Sequence, residues 1–241
     1  MISELKWDSA FFKKKIGRLT SIPEEKKLKK LMHQASEDGY EYLTCRVVLK
    51  KISEIQILEK HGFYLTDTGV VWEKKVDIQH STFNIQRSTF PVRAATIKDA
   101  PMLRLMVKGL FRDSRFYNDP FFTYREADRF YQEWIENSLY DSTVSTFIVD
   151  RCGFITCRKL SKKRGDISLV GVTPGKQGKG VGHNLVYKAL DWFKSTGADT
   201  VTVRTQANNI KAMNFYIGMG FKVKDIDITA GIILKKDRKG L

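Results

Sequence analysis

Residues 170–183 read Val170-Gly171-Val172-Thr173-Pro174-Gly175-Lys176-Gln177-Gly178-Lys179-Gly180-Val181-Gly182-His183: an apolar strand, a glycine-rich turn and the start of a helix. The helix shows in Val181, Leu185, Val186, Ala189, Leu190 and Phe193, which recur at helical spacing. Glycines at such a junction let successive backbone N–H groups point into one small volume at the positive end of a helix, where phosphate is the usual guest. Two nucleotide motifs are excluded by spacing. A Walker A loop needs four residues between Gly and Gly-Lys and then a hydroxyl residue, but only three separate Gly171 from Gly175-Lys176, and Gln177 follows. A Rossmann turn needs G-x-G-x-x-G, whereas Gly178, Gly180 and Gly182 give G-x-G-x-G, and no acidic residue ends the next strand.

Gln177-Gly178-Lys179-Gly180-Val181-Gly182 resembles the Q/R-x-x-G-x-G/A turn of the GNAT acetyltransferases, which holds the pyrophosphate of coenzyme A. A glycine-rich turn without a ligand is the alternative for the hexapeptide alone. Thirty residues on, Asn208-Asn209-Ile210-Lys211-Ala212-Met213-Asn214-Phe215-Tyr216-Ile217-Gly218-Met219-Gly220-Phe221 resembles that family's N-x-x-A-x-x-F-Y-x-x-x-G-F signature with every key position filled. The resemblance runs over residues 91–241, opening at Val92-Arg93-Ala94-Ala95-Thr96-Ile97-Lys98-Asp99. It implies a GNAT fold, acetyl-CoA as co-substrate and no metal. It also implies backbone contacts to the pantetheine arm and the acetyl carbonyl at Val170, Gly171 and Val172. Phosphate contacts are implied at Gln177, Gly178, Lys179, Gly180, Val181 and Gly182, and further coenzyme contacts at Asn209, Ala212 and Phe215. Tyr216 is implied as the general acid that protonates the leaving thiolate. Read as local physics alone, Asn209 is equally a helix N-cap and Tyr216 a core aromatic.

A closer resemblance lies in Ser114-Arg115-Phe116-Tyr117-Asn118-Asp119-Pro120, in residues 127–138 and in Leu5-Lys6-Trp7-Asp8-Ser9-Ala10-Phe11-Phe12. These segments are similar to the dTDP-fucosamine acetyltransferase branch of the superfamily. That implies an acceptor amine on a dTDP-4-amino-4,6-dideoxyhexose, used in surface-polysaccharide (lipopolysaccharide) biosynthesis, and a homodimer. Arg115 and Phe116 become candidates for gripping a diphosphate and a base or sugar face. Packing as a loop anchor is the alternative for that pair. Asp67 is a substrate-site candidate near where the branch carries an acidic residue, although an Asp67-to-Gly69 turn explains it equally. A GNAT enzyme acting on a protein N-terminus or lysine, and a non-enzymatic basic binding module, are the competing functions.

The remaining sequence bounds these readings. The 241 residues carry 42 Lys and Arg against 27 Asp and Glu, a net charge of +15. The excess is +4 over residues 1–90 and +11 over residues 91–241, which favours anionic substrates in the second part. Lys and Arg are not interleaved with aromatics in any nucleic-acid motif, so nucleic acid is not expected as a partner. Cys45, Cys152 and Cys157 form neither a disulfide framework nor a metal spacing, the N-terminus lacks a signal-peptide pattern, and no apolar run approaches the roughly 20 residues that span a bilayer. A cytoplasmic location without membrane association is expected.

The polar segment 77–89 reads as a linker, dividing the chain into an N-terminal βα domain (1–88) that contributes to the acceptor site and a GNAT domain (89–241). Alternating strands and helices around a central antiparallel run predict an α/β (α+β) fold: a mixed, mostly antiparallel sheet flanked by helices, with a smaller N-terminal α/β domain. Hairpins are expected over 63–75, turning at 67–69, and over the last two strands, 221–228 and 231–235. Residues 97–111 read as one helix and 112–120 as a loop. Leu58 to Phe63 and Tyr216 to Phe221 echo each other as helix ends running through Gly-Phe into a strand.

Overall fold

The residues that alternate apolar and polar side chains form ten strands of a single sheet in a computed structural model that describes residues 1–76 and 90–234. In chain order the elements are β1 (Ile2–Glu4), α1 (Lys6–Phe12), β2 (Ile16–Leu19), α2 (Glu25–Glu37), β3 (Tyr42–Val48), α3 (Ile52–Lys60) and β4 (Tyr64–Lys75). They continue with β5 (Arg93–Ala94), α4 (Ala100–Val107), α5 (Arg115–Asn118), α6 (Tyr124–Tyr140), β6 (Val144–Val149), β7 (Gly153–Lys159) and β8 (Arg164–Val172). The last four are α7 (Val181–Ser195), β9 (Thr200–Gln206), α8 (Ile210–Gly218) and β10 (Lys222–Ile233). The strands lie side by side in the order β1-β2-β3-β10-β4-β9-β8-β7-β6-β5. Only β2–β3 and β8–β9 pair in parallel, so the expected mixed, mostly antiparallel sheet flanked by helices is what forms.

The sheet has an internal correspondence. The run β2-α2-β3-α3-β4 matches β8-α7-β9-α8-β10: a parallel crossover, then a helix, then a strand returning antiparallel. Each run lays its last strand between the other run's strands, because β4 pairs with β9 and β10 while β10 pairs with β3 and β4. The echoed Gly-Phe segments end α3 and α8 with the same chemistry. Gly62 and Gly220 have φ of 80° and 76°, and the N–H groups of Phe63 and Phe221 donate to the carbonyls of Leu58 and Tyr216, each at 3.0 Å.

Both expected hairpins are replaced by straight strands. Asp67 and Gly69 lie inside the twelve-residue β4, and β10 runs unbroken through Gly231 with a bulge at Thr229/Ala230. The glycines serve close packing instead of turns. A Cβ at Gly69 would overlap the Arg204 guanidinium, and one at Gly231 would overlap the Tyr42 ring. The stretch 97–111 divides into a 3₁₀ turn, Ile97–Asp99, and α4, and the expected loop at 112–120 contains α5. The linker segment 77–89 and the lysine-rich tail lie outside the described residues.

Three apolar clusters cover the two faces. Val181, Leu185, Val186, Ala189 and Phe193 of α7 pack with Trp72, Val203 and Tyr216 on one face. On the same face, further along the sheet, Leu28, Ala35 and Leu58 of α2 and α3 cover Leu43, Cys45 and Val47. The opposite face carries Phe12, Phe116, Phe130, Tyr131 and Ile135 from α1, α5 and α6 against Ile16, Tyr42 and Phe154. Each fully buried side chain of this size contributes on the order of 1.5–3 kcal/mol. No helix among the described residues is long and apolar enough to cross a membrane.

Candidate active site

The parallel strands β8 and β9 pair only from Arg164↔Thr200 to Ile167↔Val203, although β8 continues to Val172 and β9 to Gln206. The separation begins at a β-bulge, where Ser168 is the extra residue in the register of β8 with β7. Beyond it, the N–H groups of Leu169 and Thr173 point back towards β7, donating to Thr156 Oγ1 (3.0 Å) and the Cys152 carbonyl (2.9 Å). By alternation, Val170 and Val172 present their N–H groups to the gap, while Gly171 faces β7. Gln177 Nε2 donates to the Val172 carbonyl at 3.1 Å, fixing the turn to the strand end. Open parallel sheets bind ligands at the carboxyl ends of diverging strands.

The glycine-rich turn closes one end of this gap. Gly178 and Gly180 adopt φ of 73° and 84°, with open space where a Cβ would stand, and Gly180 is the N-cap of α7. The N–H groups of Gly178, Lys179 and Gly180 find no acceptor among the described residues, and those of Val181 and Gly182 open the helix. Five consecutive amides at a helix N-terminus thus form an anion cradle. Gly182 lets α8 approach, since a Cβ there would stand 3.4 Å from the Phe215 ring.

At the start of α8, Asn209 is a working N-cap: its Oδ1 accepts from the Ala212 N–H at 3.0 Å, and its side-chain nitrogen is left free. Tyr216 is buried, 3% exposed, beside Trp72, Phe215 and Phe221. Its hydroxyl makes no hydrogen bond among the described residues. Burial, reinforced by Cys157 and Asp166, pushes the phenol well above its ordinary range, so it stays protonated.

Across the sheet lies a cleft of about 570 Å³. It brings together Asp67, Arg115 and Phe116, the three acceptor-site candidates. Asp67 is buried, and its Oδ2 accepts from Arg204 Nη1 at 2.9 Å. Arg204 also grips Asp227, with Nη2 to Oδ1 at 2.6 Å. Burial raises the Asp67 carboxyl pKa, and Arg204 holds it back. Arg115 stacks 4.2 Å from the Phe116 ring and donates through Nη2 to Asp8 at 3.2 Å, while its buried Nη1 has no partner. Phe116 is 5% exposed and lies chiefly in the aromatic cluster, 3.8 Å from the Phe130 ring.

A profile of the acetyltransferase (GNAT) family matches residues 109–221. This stretch is a GNAT acetyltransferase domain. The chain is similar to the dTDP-fucosamine acetyltransferase of Escherichia coli O6:H1, at 27% identity over 231 residues, 92% of this chain and 94% of that protein. It is also similar to the spore coat polysaccharide biosynthesis protein SpsD of Bacillus subtilis, at 27% identity over 119 residues, 48% of this chain and 41% of that one. A solved tandem GNAT protein from the clavulanic acid biosynthesis pathway shares the fold at 10% identity, with a TM-score of 0.61 over 91% of this chain and 75% of that one.

The coenzyme candidates on α7 and α8 and Tyr216 lie on the α7 side of the sheet, and the acceptor candidates, including Asp67 from β4, on the α6 side. Several cleft residues escaped the sequence reading: Trp7, Asp8, Arg18, Arg46, Arg204 and Gln206. Trp7 and Asp8 lie in the 5–12 segment without a role assigned there; no motif marks the last four, and only the strand register places them on one face. Tyr131 and Trp134 belong to the aromatic core and also line the cleft. No cluster of three or more His, Cys, Asp or Glu side chains that could hold a metal occurs among the described residues.

Proposed function

We propose that the chain is an acetyl-CoA-dependent N-acetyltransferase whose acceptor is the amine of a nucleotide-activated amino sugar of the dTDP-4-amino-4,6-dideoxyhexose type. The observation that carries this is a two-sided site: an anion cradle and a protonated phenol on one face and a cleft of guanidinium and aromatic groups on the other, with β8 and β9 unpaired beyond Ile167↔Val203. Similarity to the E. coli enzyme over nearly the whole chain supports the acceptor class.

In this reading the amides of 178–182 hold the coenzyme's pyrophosphate, with Lys179 beside it. The free amide nitrogen of Asn209, with Ala212 and Phe215, flanks the pantetheine arm. The Val170 and Val172 N–H groups pair with that arm and with the acetyl carbonyl, where charge develops as the amine attacks. Tyr216 then gives its proton to the departing thiolate. Residues 1–88 help to build the acceptor side, and the enzyme works as a cytoplasmic homodimer.

The test is purified protein with acetyl-CoA and a panel of dTDP- and UDP-linked amino sugars, followed by free-thiol release. Release with a 4-amino-4,6-dideoxyhexose nucleotide is expected. Saturable acetyl-CoA binding without release for any sugar overturns the acceptor and favours a peptide amine.

A further inference from the structure

The strand register carries one row of polar side chains across the α6 face of the sheet. Arg18 on β2 pairs with Thr44 on β3, and Arg46 follows Thr44 on the same face. Arg46 pairs with Thr229, Thr229 with Asp67, and Val71, on the Asp67 side of β4, with Arg204. The cleft over this row is lined by five arginines, 18, 46, 115, 158 and 204, and three aspartates, 8, 67 and 141.

Their partners are unevenly shared. Arg204 is committed to Asp67 and Asp227, and Arg158 to Asp141 at 2.8 Å. Arg18 makes no hydrogen bond or ion pair among the described residues. Arg46 reaches only Asp227 Oδ1, at 3.7 Å, which is beyond hydrogen-bond length, and that oxygen already accepts from Arg204. Arg115, 9% exposed, leaves Nη1 buried and unpartnered. Arg18 and Arg46 are exposed to the open cleft, and the groups packed around them, with the cations Arg204 and Arg115 beside them, depress the Arg46 pKa to about 10 and lower that of Arg18 against the opposing pull of Asp227 and Asp8. A buried donor without an acceptor is costly, and guanidinium forks match phosphate oxygens.

We infer that Arg18, Arg46 and Arg115 form a diphosphate-binding subsite in the acceptor cleft, separate from the anion cradle at α7. The inference rests on the acceptor reading above and deepens it, since it adds strands β2 and β3, outside the GNAT domain, to α5 in recognising the nucleotide's diphosphate. A doubly or triply charged anion matches Arg18, Arg46 and the unpartnered Nη1 of Arg115 better than a single carboxylate does. Adjacent strands are about 4.8 Å apart, so β3 stands about 14 Å from β9 across the sheet. A group held there is set back from the reacting amine, which a diphosphate on the far side of a sugar ring satisfies. Trp7, 40% exposed on the same cleft, offers a ring face for the base.

The test is calorimetric titration of the full chain with inorganic pyrophosphate in saturating coenzyme A, so that the α7 cradle is filled. One pyrophosphate is expected to bind, and Arg18→Gln with Arg46→Gln should weaken it roughly tenfold or more, while Lys30→Gln on α2 leaves it unchanged. An unaltered Kd for acetyl-CoA by the same calorimetry shows that the double variant is folded. No pyrophosphate binding to the wild type under these conditions, or binding that the double variant retains in full, overturns the subsite. A second arm separates it from the acceptor reading. If pyrophosphate binds as expected but no nucleotide amino sugar is acetylated, the subsite stands and the acceptor reading falls. If such a sugar is acetylated with the same KM by wild type and double variant, the acceptor reading stands and the subsite falls.

Discussion

For the proposed return of a proton to a leaving thiolate, Tyr216 must be a phenol and not a phenolate, and its surroundings enforce that state. Because an acid works while protonated, a raised pKa would keep a general acid here competent across the whole physiological range. The kcat/KM profile should therefore show no falling limb assignable to Tyr216 up to about pH 10, and a falling limb below pH 9 that vanishes in Tyr216→Phe would contradict this. Tyr216→Phe should lower kcat by about 100-fold, within the usual contribution of general acid catalysis, with the KM for acetyl-CoA within about twofold because the ring keeps its packing. Stopped-flow thiol release reads both quantities. At this scale the sequence was informative, since a phenol, an N-cap and a run of glycines each need a particular side chain at a particular place. Arg18 and Arg46 were silent because an arginine on a short strand looks the same whether it faces solvent or a ligand.

The elements show where local reading gives way to packing. The turn at 173–180 and α7 were legible because left-handed glycines and helical periodicity are local signals. The Asp-Thr-Gly of β4 carries an equally good turn signal, yet it lies in an extended central strand. The reason is non-local: Gly69 makes room for the guanidinium of Arg204, 135 positions away, which ties β9 to Asp67 on β4 and Asp227 on β10. Breaking this tie leaves two buried carboxylates without their cation. Arg204→Met should cost roughly 3–5 kcal/mol, a fall in Tm on the order of 10 °C, measured by calorimetry at pH 8. Burial already raises the Asp67 pKa, and a carboxyl with a raised folded pKa opposes folding only when ionised. The deficit should therefore shrink between pH 8 and pH 5. A deficit that grows on acidification would assign the loss to something other than an unpaired Asp67.

At the scale of the molecule, the two β-α-β-α-β runs depend on each other through their exchanged strands. β4, from the N-terminal part, is the only strand between β9 and β10, and β10 in turn separates β3 from β4. The runs share a topology but not a chemistry. The second has Thr173 to Gly180 between its strand and crossover helix, whereas the first has Thr20-Ser21-Ile22-Pro23-Glu24, which lacks glycine and, with Glu25 opening α2, is acidic where an anion would sit. On the proposed reading one run holds coenzyme A, and the other contributes arginines from its strands to the acceptor cleft. No local pattern could reveal this, because the exchange pairs strands more than 100 residues apart in sequence. It also bears on the linker at 77–89, which looks in sequence like a place to cut. A fragment of residues 90–241 keeps the whole GNAT-matched stretch but loses the partner of one full side of β9, along with Trp72 and Val70 from its core. Expressed alone it should be insoluble or lack cooperative thermal unfolding, and co-expression with residues 1–76 should restore a soluble complex that binds acetyl-CoA. A fragment that unfolds cooperatively by itself with wild-type affinity for acetyl-CoA would show that the catalytic half does not need the exchanged strand.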